Sequence, residues 1–205
     1  MKQYIIDVGT SHNAPRGIAL KKEYGYPVIF IEPNIEALNQ VPSDPNDIKV
    51  NAAITSYDGT IEFNYYQEGT HSVLKTNLNE ISKYIDGYSG TNAKIKDWTA
   101  WKTEEVTCYK LSTLINKFNV SEVVYLKIDT QGHDFEVIKS LEDKINKVRY
   151  IECEVQITDF EVYQKQSNKT ELVNFLLSKN FKLIHTDSQT FGQEENLIFE
   201  NQNYE

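Results

Sequence analysis

Carboxylate side chains end or follow several short apolar segments of this chain. Asp7 lies in the segment IIDVG, Glu32 ends VIFIE, and Asp129 follows VVYLKI. A carboxylate offers two acceptor oxygens and no donor, so it suits the binding of paired hydroxyl groups. The same group can remove a proton from a substrate when its surroundings raise its pKa. The pattern therefore indicates hydroxyl binding and proton transfer at the ends of strands.

The densest group of such residues follows Val123–Ile128, an apolar run that Lys127 alone interrupts. A run this short and rich in β-branched residues predicts a strand buried on both faces, as in a parallel sheet. Asp129 lies at its carboxyl end, and Asp134, which can cap the next helix, follows His133. Ligands of open α/β sheets bind beyond the carboxyl ends of the strands. We therefore expect Asp129, His133 and Asp134 to face that crevice.

Asp129 is the first candidate for a general base, and His133 is the second. An aspartate is a weak base unless burial raises its pKa. Histidine titrates near neutrality, but His133 can equally be a residue of the capping turn. His71 is interpreted as a loop histidine, because no partner for it is visible in the sequence.

Gly9 and Glu32 fit a nucleotide-type site. Gly9 lets the chain turn sharply beside a ligand at the end of the first predicted strand, Tyr4–Val8. Glu32 follows the second predicted strand, Val28–Ile31, and can accept hydrogen bonds from both hydroxyls of a ribose. Pro33 then fixes the geometry of the turn. The plainer alternatives are a turn that merely ends a strand and a solvated acid.

A fifth strand is predicted to begin at Val148–Ile151 and to end in the segment ECEVQ. Side chains alternate between the two faces of a strand, so Glu152 and Glu154 share one face. One of these carboxylates is therefore expected to line the crevice.

The third strand is predicted over residues 48–54. The Asp-Gly pair at 58–59 is a strong two-residue turn signal. It predicts a hairpin between this strand and residues 61–63.

Residues 86–107 are polar, punctuated by glycine and without clear periodicity, which predicts a loop inserted over the site. Trp98 and Trp101 lie in it, together with Tyr88 and Asn92. Exposed tryptophans suit the apolar face of a sugar ring. Anchoring of the loop to the core is an equally good interpretation of both tryptophans.

Composition limits the function classes. With 205 residues, 40% hydrophobic and 25% charged, residues 1–205 are most simply one soluble domain. The net charge of −9 without a basic cluster disfavours nucleic acid and leaves small molecules and glycans as partners. No segment has the length of a membrane span, and the first residues do not resemble a signal peptide, so we expect a cytoplasmic protein. Two separated cysteines form neither a disulfide framework nor a zinc site, and the oligomeric state stays open.

The stretch LKIDTQGHDFEVIKSL resembles the signature of FkbM-type methyltransferases, with Gln131 where the family often has glutamate. IIDVGTS, VIFIEPN, NAAITSYDGTIEF and LSTLINKF resemble other segments of that family, in its order and at its spacing. The resemblance covers roughly Tyr4 to Gln156. It departs from the family after Gly9, where a second glycine is replaced by Thr10-Ser11-His12-Asn13.

The resemblance implies an α/β, Rossmann-like class I methyltransferase fold, with a mostly parallel seven-stranded sheet and a C-terminal antiparallel hairpin. It implies S-adenosylmethionine as cofactor and O-methyl transfer to a sugar, a glycan or a glycosylated metabolite. The predicted cofactor-binding residues are Asp7, Gly9, Thr10, Ser11, Asn13, Glu32, Pro33, Asn51, Ala52, Ala53, Ser72 and Asp129. The predicted catalytic residues are Asp129, His133 and Glu154.

Two other classes remain as alternatives. One is a dinucleotide-dependent oxidoreductase, against which the terminal hairpin and the missing GxGxxG pattern both count. The other is a module that binds cofactor or glycan without chemistry. A metal site is not predicted, although Asp129, Asp134 and Glu154 carry the oxygen ligands that magnesium prefers.

Overall fold

The computed structural model describes residues 2–42, 44–67, 69–87 and 94–204. Strands and helices alternate through most of this part of the chain. In order they are β1 (Gln3–Val8), α1 (Pro15–Tyr24), β2 (Val28–Ile31), α2 (Ile35–Gln40), β3 (Ile48–Val50), β4 (Ala53–Ile54), β5 (Gly59–Tyr65), α3 (Ile81–Gly87), β6 (Lys102–Tyr109), α4 (Leu111–Lys117), β7 (Glu122–Ile128), α5 (Asp134–Lys139), β8 (Val148–Gln156), α6 (Lys169–Ser178), β9 (Phe181–Gln189) and β10 (Glu194–Asn201). None of the helices in the described ranges is long and apolar enough to span a bilayer.

Seven strands form the main sheet in the order β3-β2-β1-β7-β8-β10-β9. The first five strands in this order, β3, β2, β1, β7 and β8, are parallel to one another. Strand β10 is antiparallel to both β8 and β9. This confirms the predicted α/β fold with a mostly parallel sheet and a C-terminal antiparallel hairpin. The strand order reverses between β1 and β7, so a ligand crevice is expected beyond the ends of these two strands.

The central strands are apolar because both of their faces are covered. All four residues of β2 are buried, and six of the seven residues of β7 are buried, as the unbroken apolar runs predict. Lys127 is the exception in composition, since it is charged and only 7% exposed. Its burial in the middle of the sheet requires ionic or polar partners beneath the crevice.

Three expectations about the middle of the chain are wrong. The predicted third strand is split: β3 belongs to the main sheet, and β4 belongs to a second sheet of order β4-β6-β5. The Asp-Gly turn therefore does not close a hairpin, because β6 lies between β4 and β5 and pairs with both. The end of the predicted loop 86–107 belongs to strand β6. Its partner strand β5 lies about forty residues upstream, so no local periodicity in the sequence marks β6 as a strand.

The second sheet, β4-β6-β5, forms the wall of the crevice that a loop was expected to form. Its strand β5 runs antiparallel to β6, from Gly59 opposite Cys108 to Tyr65 opposite Lys102. Beyond β5 the chain returns through Ser72, which pairs with Asn64. The site is thus bordered by two sheets.

Candidate functional site

A cleft with about 760 Å³ of empty space, part of it open to solvent, lies beyond the carboxyl ends of β1, β2 and β7. This is the switch point that the strand order predicts. Its polar lining consists of Ser11, His12, Glu32, His71, Asp129, Thr130, Gln131 and His133. Its apolar lining includes Val8, Ile31, Pro33, Ala37, Ala52, Ala53, Ile54, Phe63 and Val73.

Gly9 brings the loop after β1 against the loop after β7. Its φ of +70° lies in the left-handed region, and a Cβ there would lie 1.8 Å from the backbone oxygen of Asp129. No other residue type fits this approach without movement of one loop. The backbone N–H of Gly9 donates to the Ile31 carbonyl at 3.0 Å, which ties the same turn to β2.

Glu32 is held from both sides by backbone groups. Its Oε2 accepts from the Ser11 N–H at 3.0 Å, and its Oε1 accepts from the Asn34 N–H at 2.9 Å. Burial raises the pKa of Glu32, and these two hydrogen bonds oppose that rise. Each oxygen keeps a second lone pair. The carboxylate is therefore oriented before any ligand arrives and can still accept two further hydrogen bonds.

Lys127 connects the two loops from below. Its Nζ donates to the Gly9 carbonyl at 2.8 Å and lies 3.2 Å from Asp7 Oδ1 and 3.7 Å from Asp129 Oδ2. Burial lowers the pKa of Lys127, but the charges of Asp7 and Asp129 outweigh it, and the pKa is raised. The buried ammonium thus compensates two carboxylates and fixes the Gly9 turn.

Asp129 is the exposed member of this group, with a side chain that is 41% exposed. Its Oδ1 accepts from the amide nitrogen of Gln131 at 2.8 Å. The same nitrogen donates to Glu154 Oε2 at 3.1 Å, so one amide connects two carboxylates. Burial, followed by the charge of Asp129, raises the pKa of Glu154 well above its usual range.

His133 and Asp134 occupy different environments, although they are adjacent. His133 lines the cleft, and burial lowers its pKa to about 4, so its imidazole is neutral at neutral pH. Asp134 is fully buried and does not line the cleft, which corrects the expectation that it faces the crevice. It accepts from the N–H and hydroxyl of Thr130 and from the Glu154 N–H. The N-cap position of α5 is His133, not Asp134.

The structure brings seven of the twelve predicted cofactor residues to the cleft wall: Gly9, Ser11, Glu32, Pro33, Ala52, Ala53 and Asp129. The other five support that wall or lie beside it. Asp7 is buried beneath it, Thr10 donates to the Asp7 carbonyl, and Asn13 is exposed. The Asn51 amide donates to the carbonyls of Glu32 and Pro33. The Ser72 hydroxyl bonds to the loop after β7.

Of the two acids on one face of β8, neither lines the main cleft. Glu152 is nearly buried in an ion pair with Arg16, with its Oε1 2.9 Å from Arg16 Nε, and also accepts from the Tyr125 hydroxyl at 2.5 Å. Glu154 lies behind Gln131 in a small adjoining cavity that Tyr163 and Glu194 also line. It therefore reaches the cleft only through the amide of Gln131.

The two tryptophans have opposite environments. Trp98 is 5% exposed and packs edge-on against Tyr84, in a cluster that includes Tyr163. Trp101 is 70% exposed, and its indole N–H donates to the Tyr66 carbonyl at 2.9 Å. Only Trp101 can offer a ring face to a ligand. Tyr88 and Asn92, which were grouped with the tryptophans, lie outside the described residues.

An aromatic row connects Trp101 to the cleft. The ring of Trp101 lies 5.6 Å from that of Tyr65, which lies 5.3 Å from that of His71. His71 and Phe63 both line the cleft. His71 lies in a loop, as the sequence indicated, and that loop forms part of the cleft wall. Its Nδ1 accepts from the Tyr66 N–H at 3.1 Å, so Nε2 carries the proton of the neutral ring.

Sequence reasoning missed the roles of Lys127, Gln131 and Tyr163. A signal existed for Lys127, because a lysine inside a doubly buried strand requires a partner. No local signal existed for Tyr163, whose hydroxyl reaches Thr70 at 2.9 Å and Gln131 at 3.2 Å across long stretches of sequence.

The described ranges contain no group of three or more histidine, cysteine or acidic side chains that could hold a metal ion. The three acids considered for magnesium have other partners. Asp129 and Glu154 accept from Gln131, and Asp134 is closed in by backbone groups.

The sheet order, with its C-terminal antiparallel strands, defines a class I methyltransferase type of fold. The chain belongs to the FkbM methyltransferase family, since the model of the methyltransferase FkbM domain matches residues 7–183. No curated protein sequence matches the chain. One similar solved structure is a "delta-N METTL16 MTase domain", with 10% identity and a TM-score of 0.45 over 100% of this chain and 74% of that chain.

Proposed function

We propose that the protein transfers a methyl group from S-adenosylmethionine to a hydroxyl of a sugar, a glycan or a glycosylated metabolite. The observation that carries this proposal is the cleft at the switch point, with the oriented Glu32 carboxylate on one side and Asp129 on the other. Family membership supports methyl transfer. The cofactor and the hydroxyl acceptor are our assignments.

The residues present fit S-adenosylmethionine. Glu32 keeps two acceptor positions for the two ribose hydroxyls. Ala52 and Ala53 leave room on the cleft wall for the flat adenine ring. The turn at Gly9 and Ser11 would border the amino-acid end, and Asp129 supplies negative charge where the cationic sulfur would lie.

S-adenosylmethionine, when bound, supplies an electrophilic methyl group. The protein must then align the acceptor hydroxyl and remove its proton. Asp129 has an open carboxylate for this task, and solvent can take the proton onward because the side chain is 41% exposed. His133 is the second candidate, although its pKa of about 4 makes it a weaker base than an ordinary histidine.

The acceptor is assigned to the side of the cleft that the aromatic row borders. The indole N–H of Trp101 is already bonded to the Tyr66 carbonyl, so the orientation of its exposed ring is fixed. A fixed, exposed aromatic face suits contact with the C–H face of a sugar. The net charge of −9 favours such a neutral acceptor over nucleic acid.

The experiment combines binding with transfer. Calorimetry measures S-adenosylmethionine binding, and methyl-labelled cofactor is then incubated with a panel of p-nitrophenyl glycosides and with transfer RNA. We expect micromolar binding and label in at least one glycoside. No cofactor binding would sink the proposal, and label in the RNA alone would overturn the acceptor class.

Trp101→Ala tests the acceptor side separately. We expect a three- to tenfold rise in KM for the glycoside and an unchanged Kd for S-adenosylmethionine, because uniform acceptor binding is lost. Phe191→Ala is the matched control, since Phe191 is 67% exposed and does not belong to the aromatic row of Trp101, Tyr65 and His71. Equal KM values for both variants would remove Trp101 from the acceptor site.

A further inference from the structure

Gln131 is the residue at which the segments around the Asp129 side of the cleft meet. Its amide nitrogen donates to Asp129 and to Glu154, and its amide oxygen shares the single hydroxyl proton of Tyr163 with the Thr70 carbonyl. An ionised carboxylate only accepts hydrogen bonds, so Asp129 fixes which end of the amide faces it. The side chain therefore has one orientation in this network.

The backbone at this position is also held in an uncommon conformation. Gln131 has a φ of +53° and Gly132 a φ of +91°, so two consecutive residues are left-handed. The Ser72 hydroxyl donates to the Gln131 carbonyl at 2.9 Å, and the Ser167 N–H donates to the Gly132 carbonyl at 2.7 Å. Such strain persists where surrounding contacts over-determine it, and it often marks a functional position.

We propose that Gln131 is a positioning residue, whose neutral amide aims the Asp129 carboxylate into the cleft and holds it apart from Glu154. This inference rests on the proposed role of Asp129 as base. A leucine at this position would leave two acids facing each other without this donor, and Asp129 would keep the longer contact of 3.7 Å with Lys127 Nζ. A carboxylate there would place a further negative charge beside Asp129.

Gln131→Leu tests the positioning effect. We expect kcat to fall about 30-fold for the p-nitrophenyl glycoside with the highest rate, because small displacements of a catalytic group cost one to two powers of ten. The glycoside KM and the S-adenosylmethionine Kd should stay within twofold. A crystal structure of this variant with S-adenosylhomocysteine should show the Asp129 carboxylate rotated, which needs no acceptor.

Gln131→Glu gives a readout that a purely structural role would not produce. Below its pKa the introduced carboxyl is protonated and can donate one hydrogen bond. This replaces one of the two hydrogen bonds that the amide nitrogen of Gln131 donates. Above its pKa the introduced carboxylate repels Asp129. The charge of Asp129 raises that pKa above the value of about 4.3 for a free glutamate, so the rate relative to the unaltered protein should fall at least fivefold as pH rises from 4.5 to 8.

Gln164→Glu is the matched control. It adds the same charge in the loop between β8 and α6, but Gln164 is exposed and its amide reaches the Thr76 carbonyl, not Asp129. Its relative rate should not change with pH.

The two proposals fail in different ways. Absent S-adenosylmethionine binding by the unaltered protein overturns the proposed function. Normal binding, with an unchanged Asp129 orientation in Gln131→Leu or a wild-type kcat in that variant, overturns only the role of Gln131. A lowered melting temperature with unchanged kcat would show that Gln131 serves the fold alone.

Discussion

The two halves of the cleft are built in different ways. In the half formed by β1 and β2, backbone groups do the positioning: the N–H groups of Ser11 and Asn34 orient Glu32, and Gly9 bonds through its own N–H and carbonyl. In the half formed by β7 and β8, side chains position the functional carboxylate. Gln131 and Lys127 place Asp129 there.

This difference separates what is general from what is particular to this chain. A half built from backbone groups needs only a turn, a glycine and one acid, so many sequences can form it. A half built from side chains depends on residues far apart in sequence, such as Gln131 and Tyr163. We expect changes in the first half to act on cofactor binding, and changes in the second half to act on turnover or stability.

The largest expected effect lies in the packing behind the side-chain-built half. Trp98 packs with Tyr84 and Tyr163, and Tyr163 in turn bonds to Gln131. Trp98→Ala should lower the free energy of unfolding by about 3–5 kcal/mol, as is usual for a buried tryptophan. Urea denaturation measures this, with the exposed Trp101→Ala as a control that should lose under about 1 kcal/mol. Equal losses would show that Trp98 is no core anchor.

Asp129→Asn is the next largest change. Asparagine keeps the shape but removes the base, so kcat for methyl transfer should fall about 100-fold, which corresponds to about 2.7 kcal/mol. The Kd for S-adenosylmethionine should change less than threefold. Asp159→Asn, at an exposed acid beyond β8, is the control. A wild-type rate in Asp129→Asn would make Asp129 structural and His133 the preferred base.

The buried Asp134, in the half of the cleft formed by β7 and β8, should make the stability of the protein depend on pH. Burial raises its pKa from 3.8 to about 7, so its ionised form destabilises the folded state. The stability that protonated Asp134 gives to the folded state is fully present below pH 3.8 and is lost as pH rises towards 7. Relative to Asp134→Asn, the protein should lose about 2 kcal/mol of unfolding free energy between pH 5 and pH 8. Urea denaturation of both proteins at the two pH values measures it, and parallel curves would contradict the assignment.

The sequence predicts the backbone-built half well. The runs ending at Gly9 and Glu32 are local signals, and both residues line the cleft. The main sheet follows from the same kind of signal, because buried parallel strands read as continuous apolar runs. The terminal hairpin follows too, although β9 and β10 are longer than the apolar cores that predicted them.

The second sheet and the Gln131 network could not be predicted in this way. Strand β6 pairs with residues of β4 and β5 that lie 37 to 55 positions upstream, and it is largely exposed, so it carries no clear apolar alternation. The turn signal at Asp58-Gly59 was misleading, because β6, which comes from far downstream, lies between β4 and β5 and pairs with both. Gln131 is informative only once Glu154 and Tyr163 are known to be beside it.

The smallest expected effect is also the most direct test of the account, because it concerns the half that should bind the cofactor. Glu32→Ala removes the carboxylate assigned to the ribose hydroxyls and should raise the Kd for S-adenosylmethionine at least tenfold, about 1.4 kcal/mol. Calorimetry measures it, with Glu36→Ala in the first turn of α2 as the control for a lost acid. The account predicts weakened binding for a Glu32→Ala protein that still folds, and wild-type binding for the control. Wild-type affinity in Glu32→Ala would contradict it.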